Sequence, residues 1–257
     1  MKKVLTIAGS DCSGGAGIQA DIKTIISHKM YAMSVVTALT AQNTTGVFSI
    51  LESSPKFVSE QMDAVFTDIF PDSVKIGMVS SSEIIKTIAK KIEQYKPKNI
   101  VVDPVMVSTS KCKLLSDDSV KSIIDYLFPI ATIITPNIYE AEILCGFLIK
   151  NENDMIKSAY EISKSFKRAI LIKGGHLEDS SNDLLYQNGN SYWFKSPRIS
   201  NSNTHGTGCT LSSAIACNLA DNLSIEESVN NAKNYINKCL KAMLDLGKGS
   251  GPIQHFC

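Results

Sequence analysis

Short runs of consecutive apolar residues, separated by longer amphipathic segments, recur along the 257-residue chain. The runs are rich in valine and isoleucine, and their apolar residues are adjacent rather than alternating. Strands have this pattern when both faces of their sheet are covered, as in a parallel sheet. The pattern predicts strands at Val4–Ala8, Ser34–Ala38, Val74–Val79, Ile100–Asp103, Thr132–Thr135 and Ala169–Lys173.

The intervals between these runs have the spacing of helices. Pro55–Ile69 shows it most clearly, because its apolar residues recur with a period close to 3.6 residues. Repeated strand–helix units predict right-handed crossovers and an α/β fold with three α/β/α layers. The predicted helices are Ile18–Ser27, Pro55–Ile69, Ser82–Tyr95, Asp117–Leu127, Ile138–Leu144, Asp154–Phe166, Thr210–Leu219 and Ile225–Leu246.

One later stretch has a different pattern. Asp183–Tyr186 and Tyr192–Phe194 are joined by a segment that contains Asn188-Gly189, and an Asn-Gly pair is typical of a hairpin turn. We therefore predict a short antiparallel hairpin at one edge of a mostly parallel sheet. Because no linker rich in Pro, Gly or Ser divides the sequence, residues 1–257 are predicted to form a single domain.

Charge and apolar content exclude several classes of function. Lys and Arg number 26 and Asp and Glu 25, so the formal charge of +1 gives no field that would attract nucleic acid. No apolar run approaches the roughly 20 residues that cross a bilayer, so no membrane partner is expected. Seven cysteines without a CxxC pair favour reduced thiols over disulfides or a zinc site, and they predict a cytoplasmic protein.

Two glycine-rich segments each precede a predicted helix. Gly9–Asp21 follows the first strand, and Asn203–Leu211 leads into the predicted helix Thr210–Leu219. Backbone amides at a helix start favour an anion or a polar group, so the second segment suits a phosphoryl group. A helix N-terminus also lowers the pKa of a thiol, so Cys209 is a candidate base or hydrogen-bond partner for an attacking hydroxyl. The alternatives are an ordinary strand–helix turn and a buried small hydrophobic residue.

Polar residues also follow other predicted strands, at the edge where open α/β sheets bind ligands. Asp103 and Lys173 end strands, and a lysine suits a phosphate. Asn137 and Glu140 offer oxygens that suit Mg²⁺, but their spacing is also that of a helix capping box. The alternatives for Asp103 and Lys173 are a turn aspartate before proline and a solvated lysine.

Two amide side chains, Gln42 and Asn43, follow the second predicted strand. Paired amides suit a heterocycle with alternating donors and acceptors, and a polar loop is the alternative. His176 is interpreted as peripheral. Taken together, these placements outline phosphoryl transfer, in which catalysis is mostly positioning and charge stabilisation.

The chain resembles the hydroxymethylpyrimidine/phosphomethylpyrimidine kinases of thiamine biosynthesis, in the ribokinase-like superfamily. The similarity runs nearly end to end, through TIAGSDCSGGAGIQADIKT, TALTAQNTTGV, VKIGMV, VVDPVM, TPNIYEAEIL, LIKGGH, NTHGTGCTLSSAIA and GKGSGP. It implies a ribokinase-like (Rossmann-like) fold. It also implies ATP-dependent phosphorylation of 4-amino-5-hydroxymethyl-2-methylpyrimidine, and of its monophosphate to the diphosphate.

The resemblance assigns roles in binding and catalysis. It implies that Asp21 and Gln42 hold the pyrimidine, with the backbone near Gly9. The catalytic group is Cys209, which stands where many superfamily members carry an aspartate, and the residues that match the anion hole are Gly206, Thr207 and Gly208.

The resemblance also implies a nucleotide and metal site. Glu140 and Asn137 match the motif that organises Mg²⁺, with Glu140 acting through water. The nucleotide and its phosphates are expected near Asp103, Asn137, Lys173 and Thr207. The expected cofactor is Mg²⁺ with ATP as co-substrate, a monovalent cation is a further candidate, and the family suggests a homodimer.

One region departs from the family pattern. In residues 107–115, Lys111 and Cys112 stand where a glycine-containing pair is expected in a lid, and Cys112 is not where a second functional cysteine would lie. A pyridoxal kinase of the cysteine type is the main alternative function. An inactive ligand-binding protein on the same scaffold is disfavoured by the presence of the candidate catalytic and binding residues Lys173, Asn137, Glu140 and Cys209. A nicotinamide dehydrogenase is disfavoured because the chain lacks a GxGxxG motif.

Overall fold

The computed structural model describes residues 1–106, 115–175 and 181–256. All nine strands of this part belong to one sheet, in the order β3-β2-β1-β4-β5-β6-β7-β8-β9. The strands are β1 (Lys3–Asp11), β2 (Tyr31–Asn43), β3 (Gly46–Glu52), β4 (Ser73–Ile76), β5 (Ile100–Val102), β6 (Ile133–Ile134), β7 (Ala169–Ile172), β8 (Asp183–Gln187) and β9 (Asn190–Phe194).

The pairing confirms the predicted mostly parallel sheet. Strands β2, β1, β4, β5, β6 and β7 are all parallel to their neighbours within this set. The predicted hairpin is present as β8 and β9 at one edge, with Asn188 and Gly189 both at positive φ in its turn. The Asn-Gly pair therefore forms the type of tight turn that the sequence indicated.

Helices cover both faces of this sheet. A π-helical turn at Ile123–Leu127 continues the fourth helix. The α-helices are α1 (Gly17–Ser27), α2 (Pro55–Asp68), α3 (Ser82–Tyr95), α4 (Asp117–Ser122), α5 (Ile138–Cys145), α6 (Glu152–Ser165), α7 (Thr207–Ala220) and α8 (Ile225–Lys241).

The core consists of two apolar clusters, one on each face of the sheet. Adjacent residues of one strand enter different clusters: Val101 and Ile133 pack with α7 and α8, whereas Val102 and Ile134 pack with α2, α3 and α6. Successive side chains of a strand point to opposite faces. Continuous apolar runs are therefore what a sheet covered on both sides requires, and the predicted three-layer fold is confirmed.

Strand β3 was not predicted, and β2 is longer than the predicted Ser34–Ala38. All seven residues of β3 are exposed, and the strand is antiparallel to β2 at the edge of the sheet. The continuous apolar runs that predict a strand mark strands buried on both faces, and an exposed edge strand lacks that signal. Within the residues that the structure describes, no helix has the length and apolar content needed to cross a bilayer.

Candidate active site

The ends of three parallel strands and the start of α7 meet at one place. Lys173, just after β7, donates from Nζ to Oδ1 of Asp103 over 2.8 Å. Asp103 follows β5, and its carboxylate also accepts hydrogen bonds from Thr135, after β6, and from Ser212 of α7. A Cβ placed on Gly208 would lie 3.5 Å from the Lys173 ammonium. The structure thus brings three predicted site residues together.

The Lys173–Asp103 pair is withdrawn from water. Asp103 is 2% exposed. Burial would raise the pKa of Asp103, but Lys173 and Lys75 outweigh that effect and lower it. Burial would lower the pKa of Lys173, but Asp103 and Glu140 raise it. Both groups are therefore charged near neutral pH, and the alternative of a solvated lysine in a turn is wrong.

Asn137 and Glu140 form the capping box that their spacing indicated. The Asn137 Oδ1 accepts from the Glu140 N–H over 3.0 Å, and the Glu140 Oε2 accepts from the Asn137 N–H over 2.8 Å. The other Glu140 oxygen accepts from the Met106 N–H over 3.3 Å. Because a carboxylate oxygen has two acceptor positions, each oxygen of Glu140 keeps one.

This carboxylate fits a hard cation, although it does not form a complete metal site. Burial raises the pKa of Glu140 to about 7, and the nearby Lys173 opposes the shift. A cation beside Glu140 would favour its ionised form. Among the described residues, no cluster of three or more His, Cys, Asp or Glu side chains could hold a metal. Magnesium commonly completes its shell with water and substrate phosphates, so one carboxylate is compatible with it.

The start of α7 is built on a close approach of two glycine segments. Gly206 precedes the helix at φ +83°, and a Cβ placed there would lie 1.9 Å from the carbonyl oxygen of Gly15. The Thr207 N–H donates to Thr204 O over 3.2 Å. First-turn amides such as those of Gly208 and Cys209 have no acceptor within the helix, so these two remain for an anion.

The pKa of the Cys209 thiol is shifted in the direction opposite to the one predicted. It is partly buried, and desolvation raises the pKa of its thiol to about 11, while Lys75 opposes the increase. The helix N-terminus, which lowers a thiol pKa, is visible in the sequence, whereas the degree of burial that raises the pKa is not. The ligand-free protein therefore carries a neutral thiol here.

Asp21 is fully buried, and its surroundings differ from those expected of a substrate ligand. Lys75 Nζ donates to both carboxylate oxygens, over 2.9 and 2.8 Å. Thr6 and Ser213 donate one hydroxyl each, over 2.6 and 2.8 Å. These four bonds fill the acceptor positions of a carboxylate. In this geometry, Asp21 holds Lys75 and offers a pyrimidine no free oxygen.

The sequence analysis missed a polar bridge between the two glycine segments. Asp11 accepts from the amides of Ser13, Gly15 and Ala16, and the His205 Nε2 lies 2.9 Å from its Oδ2. The Gln42 Nε2 lies 3.2 Å from the same histidine nitrogen. Asp followed by a Ser-Gly-rich stretch is a turn signal that would have identified Asp11.

The remaining predicted residues are placed as follows. Gly9 is buried in β1, and a Cβ on it would lie 2.8 Å from the Met78 side chain. Gln42 is partly exposed near the end of β2, on the same side as the bridge. His176 and Cys112 lie outside the described residues.

Comparisons with known proteins identify related sequences and folds. The family model described as phosphomethylpyrimidine kinase matches residues 11–254. The hydroxymethylpyrimidine/phosphomethylpyrimidine kinase of Rhizobium meliloti is 45% identical over 256 residues, which cover 98% of this chain and 96% of that protein. The thiamine biosynthesis bifunctional protein ThiED of Geobacter sulfurreducens is 47% identical over 254 residues, 98% of this chain, but the chain spans only 52% of ThiED.

Solved structures share the fold. The phosphomethylpyrimidine kinase of Clostridium difficile 630 is 47% identical, with a TM-score of 0.84 over 93% of this chain and 99% of that one. An ADP complex of Bacillus subtilis pyridoxal kinase is 34% identical, with a TM-score of 0.93 over 99% of this chain and 97% of that one. Sequence identity favours the pyrimidine kinases, and the backbone fits both groups, which have the ribokinase-like fold.

We predict that Asp11 makes stability depend on pH. Burial would raise its pKa, but hydrogen bonds from His205, Ser13 and Ala16 hold it well below its usual range. A pKa lower in the folded state than in the unfolded state gives stability that is present above the unfolded value of about 4 and lost as the pH falls. We therefore expect Asp11→Asn to lose about 2 kcal/mol of unfolding free energy at pH 7, and less at pH 3.

Urea unfolding between pH 3 and pH 7 measures this difference. Asp125→Asn is the matched control, because Asp125 is exposed and the substitution removes the same charge. If the stability of Asp11→Asn followed that of wild type in parallel over this pH range, Asp11 would not be the pH-dependent group.

Proposed function

Because the chain belongs to the phosphomethylpyrimidine kinase family, we propose that it transfers the γ-phosphate of ATP to the primary alcohol of 4-amino-5-hydroxymethyl-2-methylpyrimidine. A second transfer then converts the monophosphate to the diphosphate. Both steps are phosphotransfers to an oxygen, so one arrangement of groups serves both.

One observation carries this proposal: the Lys173–Asp103 pair lies directly against the first turn of α7. Lys173 is a fixed positive charge, and the amides of Gly208 and Cys209 point their partial positive charge toward the same end of the helix. Charge on a transferring phosphoryl group is spread over its outer oxygens. Fixed donors at this position stabilise that charge without reorganising during the reaction.

The nucleotide occupies the Lys173 side of the site in this proposal. Asn137 and Thr207, which flank Lys173 and the α7 start, lie toward the phosphates. Glu140 is the residue assigned to Mg²⁺, through water, and Asn137 fixes its carboxylate by the capping contacts. When bound, Mg²⁺ would neutralise charge on the phosphates.

The pyrimidine occupies the side of the site formed by Gly9 and Gln42. The Gln42 amide is partly exposed on this side, and the backbone near Gly9 is assigned to the ring by the resemblance to the family. Cys209 acts as the thiolate, formed when the thiol proton is lost to solvent: it hydrogen-bonds the hydroxyl and takes its proton as the new O–P bond forms and the bond between the γ-phosphorus and ADP breaks. Asp21, whose oxygens are filled by Lys75, Thr6 and Ser213, makes no direct contact with the ring in this proposal.

A pyridoxal kinase is the second candidate function, because the backbone matches a pyridoxal kinase with a TM-score of 0.93. Its substrate also presents a hydroxymethyl group on a nitrogen ring. The two functions therefore differ in ring recognition and agree in phosphoryl transfer.

The substrate is tested by a panel of both ring compounds with Mg-ATP. We expect kcat/KM for the hydroxymethylpyrimidine to exceed that for pyridoxal by at least about 10-fold, which corresponds to about 1.4 kcal/mol of difference in transition-state binding. The pyrimidine monophosphate should be accepted as well. A reversed ranking would assign the chain to the pyridoxal kinases.

Cys209 is tested by Cys209→Ala. We expect kcat to fall roughly 100-fold, the scale of lost proton-transfer help, with the far-ultraviolet circular dichroism spectrum unchanged. Cys145→Ala is the control, since Cys145 is a partly buried free thiol at the end of α5. Unchanged turnover of the Cys209 variant would show that the thiol only packs.

We propose that the protein is a homodimer formed through β3. This edge strand has unpaired backbone groups on its outer side, and Phe48 and Leu51 are 69% and 68% exposed. An exposed apolar edge strand favours association unless another chain covers it. A second copy of the chain would cover this strand and remove its exposed apolar side chains from water.

Light scattering after size-exclusion chromatography tests this arrangement. We expect twice the chain mass of 27.9 kDa for wild type and one chain mass for Phe48→Glu/Leu51→Glu. Leu148→Glu is the control, because Leu148 is 67% exposed on another part of the surface. A monomeric wild type would contradict the proposal.

Two further expectations stay predictions. A cytoplasmic location is supported by five free thiols among the described cysteines. A monovalent cation requirement is open to a direct test of activity in potassium and in tetramethylammonium salts.

A further inference from the structure

Lys75 is a charged residue in the interior of the sheet that the proposed mechanism does not explain. It lies in β4, and its side chain is fully buried. Burial would lower its pKa, but Asp21 and the other nearby anions outweigh that effect and raise it. Lys75 is therefore positively charged near neutral pH, and Asp21 is its counter-ion.

The packing of α1 against α7 places this ion pair near Cys209. Cys209 and Ser213 are one turn apart on α7 and therefore lie on the same face of the helix. The Ser213 hydroxyl donates to Oδ1 of Asp21 over 2.8 Å, and the same oxygen accepts from the Lys75 ammonium over 2.9 Å. The carboxylate that holds Lys75 is therefore bonded to α7 at a position one helical turn, about 5.4 Å along the axis, from Cys209.

Four charged groups from four elements face Cys209. Lys75 comes from β4, Asp21 from α1, Asp103 from the end of β5 and Lys173 from the end of β7. Lys173 is paired with Asp103 and is assigned to the nucleotide phosphates. Lys75 is likewise held by a carboxylate, but it is fully buried and has no assigned contact with the nucleotide. Its effect on the thiol exceeds that of Asp21, which acts in the opposite direction.

We propose that Lys75 is a positioning residue of the phosphotransfer: its ammonium, held by Asp21, stabilises negative charge on the Cys209 sulfur and favours the thiolate that accepts the proton of the alcohol. The inference rests on the proposed function, because it names the group that supports Cys209 as a base. The proton moves from the hydroxyl to the sulfur, the hydroxyl oxygen bonds to the γ-phosphorus, and ADP leaves with the electrons of the broken bond. Lys75 keeps its own protons throughout.

The proposal also explains why Asp21 is saturated with hydrogen bonds. A buried ammonium needs a counter-ion, and a carboxylate fixed by Thr6 and Ser213 keeps that ammonium in one place. Asp21 therefore acts on the reaction through Lys75 and then through Cys209.

The test is the alkylation of Cys209 in Lys75→Gln. The neutral amide still donates to Asp21 but removes the charge. We expect iodoacetamide to modify Cys209 at least about 10-fold more slowly than in wild type at pH 8, because an opposite charge nearby shifts a pKa by one unit or more and the thiolate is the reactive form. Mass spectrometry of the Cys209 peptide gives the alkylation rate. When this rate is measured as a function of pH, the midpoint of its increase should move to higher pH in Lys75→Gln.

Cys12 is an internal control, because it is an exposed free thiol on another loop and should react at the wild-type rate. Lys91→Gln is the matched control variant, since Lys91 pairs with Asp63 near the surface of α3. A folded Lys75→Gln protein whose Cys209 reacts within two-fold of the wild-type rate would overturn the proposal.

A second variant covers the case in which Lys75→Gln does not fold. Lys75→Gln/Asp21→Asn removes both charges together and keeps groups that hydrogen-bond. Because the Lys75 effect is the larger of the two, Cys209 should still react more slowly than in wild type, by a smaller factor. A rate equal to or faster than that of wild type would reject the proposal.

Kinetics connects the thiol to the reaction. We expect kcat of Lys75→Gln to fall about 10-fold, the factor for a pKa change of one unit, with KM for ATP and for the pyrimidine within two-fold. Slower alkylation with unchanged kcat would also overturn the proposal. Alkylation requires neither substrate, so a wild-type protein that phosphorylates no pyrimidine would refute the proposed function and leave the link between Lys75 and Cys209 measurable.

Discussion

The structure depends on covering both faces of the central parallel strands. Adjacent residues such as Ile133 and Ile134 belong to different apolar clusters, so each strand is buried on both sides. The polar side chains of a ligand site can then lie only at the ends of the strands. Asp103, Thr135 and Lys173, from three neighbouring strands, meet there because parallel strands end at a common edge. The hydrophobic packing of the layers thereby determines where the charged residues can be.

The site itself is organised by ions that are neutralised in pairs. Lys173 with Asp103, and Lys75 with Asp21, place two cations and two anions around the start of α7. Each lysine is stabilised in the interior by the carboxylate that accepts its hydrogen bonds. Cys209 lies between these pairs and is neutral without ligands, since desolvation raises its pKa more than the lysines lower it. The protonation state of the Cys209 thiol is therefore sensitive to any change in the charges around it.

The sequence was sufficient for the layers, the parallel core, the β8–β9 hairpin and the capping box, because each has a local pattern. It was insufficient for β3, whose exposed residues carry no burial pattern. It predicted a low thiol pKa for Cys209 because helix position is visible in a sequence, whereas desolvation is set by residues far apart in the chain. Lys75 was likewise missed as part of the site: it interrupts an apolar run, but its partner Asp21 lies 54 positions away. Asp21 itself was identified by resemblance, and its surroundings in the structure differ from those expected of a substrate ligand.

The contact of Gly206 with Gly15 has a consequence for recombining relatives of this protein. The two glycine segments interlock with no space for a side chain, and Asp11 and His205 bridge them, although about 190 residues separate them in the chain. A chimaera whose crossover point falls anywhere between them would take one glycine segment from one parent and the other segment from the other parent. The contact between the two segments is called the seam below. Parental compatibility at this seam, rather than overall identity, should therefore decide which hybrids retain a shaped catalytic pocket. Gene-shuffling libraries would best exchange both segments as one block.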